Sequence, residues 1–178
     1  MGLFENEIVP VKISKKNKEE ILITEDQQPK RSNPTKIPTL KPAFLNDGTV
    51  TAANSSSISD GAAALVICSQ KYAEEKSLKI KARIKGYTGH AHEPGWFTTA
   101  PITATQKLLS LTKWSTEEVD LWEVNEAFAV VPMAFMKELK IPREKINVNG
   151  GACSLGHPIG ASGARILVSL INALKQRD

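Results

Sequence analysis

The 178-residue sequence has few of the features that characterise secreted, membrane-spanning or metal-stapled chains. It contains two cysteines, Cys68 and Cys153, and no CxxC pair, which excludes a disulfide framework and a zinc site. No stretch approaches the roughly 18 apolar residues of a membrane span, and the first twenty residues hold no apolar run of signal-peptide length. We therefore expect a protein of a reducing, cytoplasmic compartment.

An excess of charge of one sign is also absent. The chain has 23 basic and 19 acidic residues, a net charge of +4. The basic residues of the first 42 positions are not interleaved with aromatic side chains, as a base-stacking platform for nucleic acid requires. The balance favours a phosphate-bearing small molecule over nucleic acid as a partner.

The pattern of apolar residues predicts an α/β domain. Five of the ten prolines lie in the first 42 residues, which predicts a loop-like segment with two short strands, at 7–13 and 20–24, joined by a turn at 15–18. Beyond it, predicted strands alternate with predicted helices: strands at 62–68, 79–87, 120–124 and 146–148, and helices at 69–76, 104–111, 127–139 and 161–175. This alternation predicts a sandwich around a largely parallel central sheet.

Two of these elements carry more specific expectations. The continuous apolar run at 62–68 is typical of a strand buried on both faces. The helix at 161–175 has an apolar face formed by Ala164, Leu167, Ile171 and Leu174. A parallel sheet needs a strand after that helix, so we expect another chain, or more of the polypeptide, to complete the sheet.

Candidate chemistry is densest in the glycine-rich segment 149–165. Its spacing at 151–156 matches a Walker A loop, but His157-Pro158 follows where the phosphate-binding lysine and the hydroxyl should be. Pro158 restricts the backbone of His157, which suits either a proton-transferring histidine or a packed one. Small residues here permit close backbone approach to a ligand.

Three further groups have weaker signals. Asn125 follows the predicted strand 120–124, where open α/β sheets bind ligands, although its position alone favours a helix N-cap. The hydroxyl-rich segment 51–64 fits contacts to phosphate or an amide-bearing tail, or a polar turn. His90 and His92 have metal-ligand spacing, yet no third ligand is near in sequence, which favours a solvated loop and predicts no metal site.

Taken together, VNEAFA at 124–129, GGACSLGHPIGASGAR at 150–165 and LKPAFLNDGTVTAANSSSISDGAAA at 40–64 resemble the thiolase family, specifically its acetyl-CoA acetyltransferases. The NEAF and GHPxGASGxR motifs are specific, and they occur here in the family's order and spacing. The resemblance implies a thiolase-like layered α/β fold with an incomplete second half. Residues 1–40 would be the tail of the loop domain that covers coenzyme A, and 41–178 the C-terminal thiolase domain without its last strands.

The resemblance also implies a reaction and a set of site residues. The reaction is the interconversion of two acetyl-CoA with acetoacetyl-CoA and CoA, within fatty acid metabolism, with no cofactor beyond the coenzyme A thioester substrate. The GHP histidine, here His157, serves as base and oxyanion donor, and the NEAF asparagine, here Asn125, holds a water of the oxyanion hole. The residues implied to contact coenzyme A are Phe44, Ala52, Ser56, Phe97, Phe128 and, at the phosphates, Lys30 or its neighbour Arg31. A homo-oligomer is expected for the complete protein.

The departures from the family affect activity. The family's nucleophilic cysteine and its CxGGG cysteine have no counterpart, and Cys68 and Cys153 lie in neither motif. We therefore expect this chain alone to be inactive. Phe97 stands where several members carry methionine beside the acyl group, which leaves a longer-chain 3-ketoacyl-CoA thiolase as one alternative. A non-catalytic, coenzyme A-binding remnant or subunit is the other.

Overall fold

The computed structural model describes residues 2–14 and 20–177. Near the N-terminus, β1 (Val11–Ile13) and β2 (Ile21–Ile23) pair antiparallel, with Val11 opposite Ile23. The two predicted strands are confirmed in shorter form, and the predicted turn at 15–18 lies outside the described residues. Pro10 precedes β1 and has no N–H to donate to a longer ladder.

Helices form most of the regular structure. They are α1 (Gln28–Arg31), α2 (Gln70–Glu75), α3 (Ala100–Thr112), α4 (Val130–Leu139), α5 (Ala152–Leu155) and α6 (Ile159–Arg177), with 3₁₀ turns at Pro34–Thr39, Pro94–Thr99 and Arg143–Lys145. The four predicted helices are confirmed as α2, α3, α4 and α6. Ser69 caps α2 by accepting from the Tyr72 amide, and α3 and α4 each end at a lysine in the left-handed conformation. No helix within the described ranges has the length and apolar character needed to cross a membrane.

Helix α4 begins three residues later than predicted. The Ala127 carbonyl accepts from the Ser56 amide at 3.1 Å, and the Ala129 amide donates to the Asn54 carbonyl at 2.8 Å. These backbone groups bond to the hydroxyl-rich segment 51–64, called the serine-rich loop below, so the chain becomes helical only at Val130. The loop is thereby attached to the segment that carries Asn125.

The predicted parallel sheet is not formed within the described residues. Segments 62–68 and 79–87 make no backbone hydrogen bonds there, and Val66 is 98% exposed, so the expectation of a strand buried on both faces is wrong. The two later strands reduce to one parallel bridge between Trp122 and Ile146. An extended segment forms a ladder only where another extended segment lies beside it, and sequence pattern alone does not supply that neighbour.

The core lies beneath the candidate site. Its buried members are Ile102, Val124, Val131, Phe135, Leu139, Ile141 and Ile146. Trp122 packs edge-on against Phe135 with ring centroids 5.5 Å apart. Because the core joins α4 to the segments that end at Asn125 and begin the glycine-rich loop, it sets the positions of both.

The buried face of α6 differs from the predicted apolar face. Its buried residues are Ser162, Ser169 and Ala173, whereas Leu167 is 42% exposed. Two different neighbours use this face. Ser162 contacts His157, whereas the Ser169 hydroxyl donates to Glu7 of the N-terminal segment at 3.3 Å. The N-terminal segment therefore covers the part of the helix around Ser169 and Asn172.

Candidate active site

The structure brings Asn125 and His157 together. The Asn125 Nδ2 atom lies 3.3 Å from His157 Nε2. Asn125 follows the buried residue Val124, while the His157 amide donates to the Ser57 carbonyl at 2.9 Å and Ile58 forms a parallel bridge with His157. The core therefore holds one partner, and the serine-rich loop holds the other.

The hydrogen bonds around His157 determine where its proton lies. An amide nitrogen donates and does not accept, so Nε2 of His157 is the acceptor from Asn125. The ring proton is then on Nδ1, which donates to Ser162 Oγ at 2.6 Å, and the Ser162 hydroxyl donates to the Pro158 carbonyl at 3.1 Å. His157 thus presents an unprotonated nitrogen that can accept a proton, as a general base must.

Asn125 does not cap α4. The N-cap position is Ala129, which makes no side-chain cap bond, so the N-cap interpretation of Asn125 is wrong. Its Oδ1 atom is buried and has no hydrogen-bond partner among the described residues. A buried acceptor without a donor costs about 1–3 kcal/mol, which favours a functional reason for this side chain over a purely structural one.

Two residues that the sequence did not single out support this arrangement. Glu126 accepts from the Asn147 side chain at 2.8 Å and from the Cys153 amide at 3.0 Å. Asn147, which is buried, accepts from the Val124 amide and donates to the Val124 carbonyl, both at 2.8 Å. These bonds attach the strand end to the glycine-rich loop. In the sequence, the one sign of this role is that Asn147 is a polar residue inside the short apolar run at 146–148.

The glycine-rich loop is shaped by protein contacts. A Cβ at Gly151 would lie 2.4 Å from Glu126 Cδ, and one at Gly156 would lie 2.3 Å from Ser59 Oγ. Gly156 also has a φ of 93°, which side chains rarely adopt. The close backbone approach expected for a ligand is therefore used, at these two positions, for packing inside the chain.

Three of the residues implied to contact coenzyme A lie together. The Phe44 and Phe128 rings meet edge-on with centroids 6.0 Å apart, and Ser56 Oγ donates to the Ala127 carbonyl at 2.9 Å. Ala52 is exposed on the same serine-rich loop.

The other two implied contacts lie on different elements. Phe97 is exposed in the Pro94–Thr99 turn, which packs against α4. Lys30 lies in α1, where it pairs with Glu25.

The two cysteines lie in different environments. Cys68 is exposed in segment 62–68. Burial, together with the Glu126 carboxylate, raises the pKa of Cys153 to about 11. Its thiol is therefore protonated near neutral pH.

A group of carboxylates surrounds Arg165 behind the site. Glu123, two residues before Asn125, has its carboxylate 3.7 Å from the Arg165 guanidinium, and both side chains are largely buried. Burial raises the pKa of Glu123 to about 7, with Arg165 acting in the opposite direction. Burial likewise raises the pKa of Glu7 and of Asp26.

His90 and His92 are not simply solvated as expected. His90 Nε2 lies 3.3 Å from His92 Nδ1, and each ring has a further partner. Within residues 2–14 and 20–177, no group of three or more His, Cys, Asp or Glu residues is arranged to hold a metal ion.

Comparison with known proteins identifies the family. The model of the thiolase C-terminal domain matches residues 78–178, and that of the thiolase N-terminal domain matches residues 1–71. The mitochondrial acetyl-CoA acetyltransferase of Bos taurus is 48% identical over 178 residues, which are 99% of this chain and 42% of the bovine protein.

Solved structures of thiolases also resemble this chain. The acetyl-CoA acetyltransferase of Bacillus anthracis superposes with a TM-score of 0.94 at 46% identity, covering 99% of this chain and 45% of that one. A thiolase from Ascaris suum, solved with coenzyme A, gives 0.86 at 43% identity, covering 97% and 44%. The chain spans less than half the length of these relatives. It has a partial thiolase fold, and it belongs to the thiolase family.

Proposed function

We propose that this chain is the part of an acetyl-CoA C-acetyltransferase that supplies the catalytic histidine and asparagine. The enzyme interconverts two acetyl-CoA with acetoacetyl-CoA and CoA. The observation that carries the proposal is the contact between Asn125 Nδ2 and the unprotonated Nε2 of His157. The acetyl-CoA acetyltransferases among its relatives support the same reaction.

The first half of the reaction uses His157 as a base. Its Nε2 accepts the proton of a cysteine thiol, and the thiolate attacks the carbonyl of acetyl-CoA. The CoA thiolate leaves and takes a proton from an acid in the remainder of the enzyme, so His157 stays protonated. In this proposal that cysteine belongs to the remainder of the enzyme, because Cys68 and Cys153 lie in neither of the family's cysteine motifs and the Cys153 thiol is protonated near neutral pH.

The second half is a Claisen condensation. A second acetyl-CoA gives a proton from its methyl carbon to the conjugate base of that acid, and the resulting carbanion attacks the acetyl-enzyme to give acetoacetyl-CoA. The cysteine leaves as a thiolate and takes back its proton from His157. Negative charge develops on a thioester oxygen, which requires donors aimed at it. Protonated His157 and a water held by Asn125 Nδ2 are those donors in this proposal.

The coenzyme A contacts belong to the same proposal. The apolar pair Phe44 and Phe128 forms a wall beside Ser56, and the Ascaris suum relative, solved with coenzyme A, supports coenzyme A as the ligand. Ala52, Phe97 and Lys30 are the remaining proposed contacts.

A chimaeric enzyme tests the function. This chain would replace the matching segment of the Bacillus anthracis acetyltransferase, and thiolysis of acetoacetyl-CoA would be assayed. Loss of one oxyanion donor typically lowers the rate about 100- to 1,000-fold, so Asn125→Ala should fall in that range, and His157→Ala should be at least as damaging. Asn149→Ala is the matched control, because Asn149 donates to Gln176 on the surface. An active chimaera in which Asn125→Ala keeps full turnover would refute the proposed role.

A second candidate is a coenzyme A-binding remnant or a non-catalytic subunit. The observations that favour it are that both cysteines lie outside the family's two cysteine motifs and that burial keeps the Cys153 thiol protonated near neutral pH. The chimaera separates the candidates, since a remnant would bind coenzyme A yet give no turnover even with the nucleophile supplied. Comparing acetoacetyl-CoA with longer 3-ketoacyl-CoA substrates settles the acyl-chain preference.

The proposed setting is a reducing compartment such as the cytoplasm, and the proposed complete enzyme is a homo-oligomer of fatty acid metabolism. Both cysteines are free, which supports a reducing setting. The bovine relative is named as mitochondrial, so fractionation of the source cells is the deciding measurement.

A further inference from the structure

A pair of histidines outside the Asn125–His157 site, His90 and His92, connects the Pro94–Thr99 turn to α3. The Lys107 Nζ atom lies 3.2 Å from His90 Nδ1, and His90 Nε2 lies 3.3 Å from His92 Nδ1. His92 Nε2 in turn lies 2.6 Å from the Trp96 carbonyl oxygen. The two rings meet edge-on with centroids 4.9 Å apart. The contacts form one continuous chain from the helix to the turn.

The two ends of this chain determine where its protons lie. The Lys107 ammonium only donates, so His90 Nδ1 accepts and the neutral ring carries its proton on Nε2. The Trp96 carbonyl only accepts, so His92 carries its proton on Nε2 and leaves Nδ1 bare. The contact between the rings then has one donor and one acceptor. Thr99 makes a further contact where the chain of hydrogen bonds meets the turn. Its hydroxyl donates to the Trp96 carbonyl at 2.8 Å and lies 3.2 Å from His92 Nε2.

An additional proton breaks the chain wherever it binds. On His90 Nδ1 it faces the Lys107 ammonium, and on His92 Nδ1 it faces the N–H of His90. Among the described residues, the titratable groups facing His90 are Lys107 from α3 and His92 from its own segment. Removal from water, Lys107 and His92 together lower the pKa of His90 below its ordinary value.

The same assignment disfavours a metal site. A metal bridging the rings would need the lone pair of His90 Nε2, and that atom carries the proton as long as Lys107 donates to Nδ1. The pair is therefore arranged for hydrogen bonding.

We propose that Lys107, His90 and His92 form a proton-operated latch, which holds the Pro94–Thr99 turn to α3 while both rings are neutral and releases it on acidification. The turn carries the exposed side chains Trp96 and Phe97 and packs against α4. Opening the latch would change the surface presented beside that helix. The contacts that form the latch do not depend on the proposed reaction, but the turn that the latch holds carries Phe97, one of the proposed coenzyme A contacts.

Nitrogen-15 NMR of the whole chain tests the latch directly, because the chain has only three histidines. At about pH 8, long-range proton–nitrogen spectra should show the Nε2–H tautomer for both His90 and His92. On acidification, the backbone and indole signals of Trp96 should shift with the same midpoint as His90, and that midpoint should lie below the usual value of about 6.5. An Nδ1–H tautomer at either residue, or Trp96 signals that do not shift as His90 titrates, would overturn the proposal.

Lysine variants give an independent readout. Lys107→Met should raise the His90 midpoint towards about 6.5, whereas Lys107→Arg should keep it low. Lys137→Met is the matched control, because it removes the same charge from an exposed position on α4 and should leave the midpoint unchanged. An unchanged midpoint in folded Lys107→Met would refute the latch. If that variant fails to fold, the tautomers of the unsubstituted chain still decide the question.

Discussion

At the scale of single residues, the position of one proton determines what His157 can do. The Asn125 amide requires an acceptor at Nε2, and Ser162 provides an acceptor for the proton on Nδ1. Ser162 is a positioning residue in this arrangement, since its hydroxyl proton goes to the Pro158 carbonyl and leaves the oxygen free to accept. The tautomer that the proposed base needs is therefore set by a neighbour five residues along the chain.

Replacing Ser162 tests this assignment. Ser162→Ala removes the acceptor for the Nδ1 proton, so His157 should change from the Nδ1–H tautomer to a mixture in nitrogen-15 spectra, with a loss of about 1 kcal/mol in the free energy of unfolding. Ser154→Ala is the control, because the Ser154 hydroxyl bonds within its own loop, to the Gly151 carbonyl. An Nε2–H tautomer in the unsubstituted chain would contradict the assignment and place the amide oxygen of Asn125 against the ring.

Sequence motifs predicted the partners in this site but not their supports. Asn125 was found because it follows a predicted strand, and His157 because it is the one histidine in the glycine-rich segment; each also lies in a family motif. Glu126 and Asn147 were missed because no local pattern shows their bonds. Glu126 bonds to Asn147, 21 positions away, and to Cys153, 27 positions away. The N-cap interpretation of Asn125 failed because the serine-rich loop delays the start of α4.

At the scale of elements, helices were predictable and ladders were not. A helix satisfies its own backbone, so apolar periodicity located α2, α3, α4 and α6. A strand needs a neighbour, and segments 62–68 and 79–87 have none among the described residues. Part of the buried face of α6 was likewise set by the N-terminal segment that packs on it, which periodicity within the helix does not encode.

The stability of the chain should depend on pH through the carboxylates around Arg165. Burial raises the pKa of Glu123 from 4.5 to about 7, so the folded chain holds a proton that the unfolded chain releases. The free energy of unfolding should therefore fall as pH rises through this window, by up to about 3 kcal/mol from this one group. Glu7 and Asp26, whose pKa values are also raised, act in the same direction.

Urea unfolding at several pH values measures this dependence. Glu123→Gln should flatten the decline, because the amide does not ionise, while leaving the smaller slope due to Glu7 and Asp26. Glu138→Gln, at an exposed position on α4, is the matched control and should keep the original slope. Stability that increases with pH over this range, or an unchanged slope in Glu123→Gln, would contradict the raised pKa of Glu123.

At the scale of the whole molecule, apolar surface is distributed unevenly. The core beneath the candidate site is well buried, whereas Ile58, Val66 and Ile159 are 96%, 98% and 75% exposed. Segments 62–68 and 79–87 also leave their backbone donors and acceptors unpaired among the described residues. Exposed apolar patches and unpaired extended segments both promote association with other chains.

The 178-residue chain should therefore self-associate in solution. Size-exclusion chromatography with light scattering should give a mass above the 19.4 kDa of one chain, increasing with concentration. Val66→Lys places a charge on an extended, exposed segment, where like charges on neighbouring chains repel, so it should shift the distribution towards monomer. Ser110→Lys, on an exposed polar position of α3, adds the same charge away from that segment and should leave the distribution unchanged. A monodisperse 19.4 kDa species that also resists thermal unfolding would show that these segments do not drive association, because the remaining contacts would then suffice to stabilise a single chain.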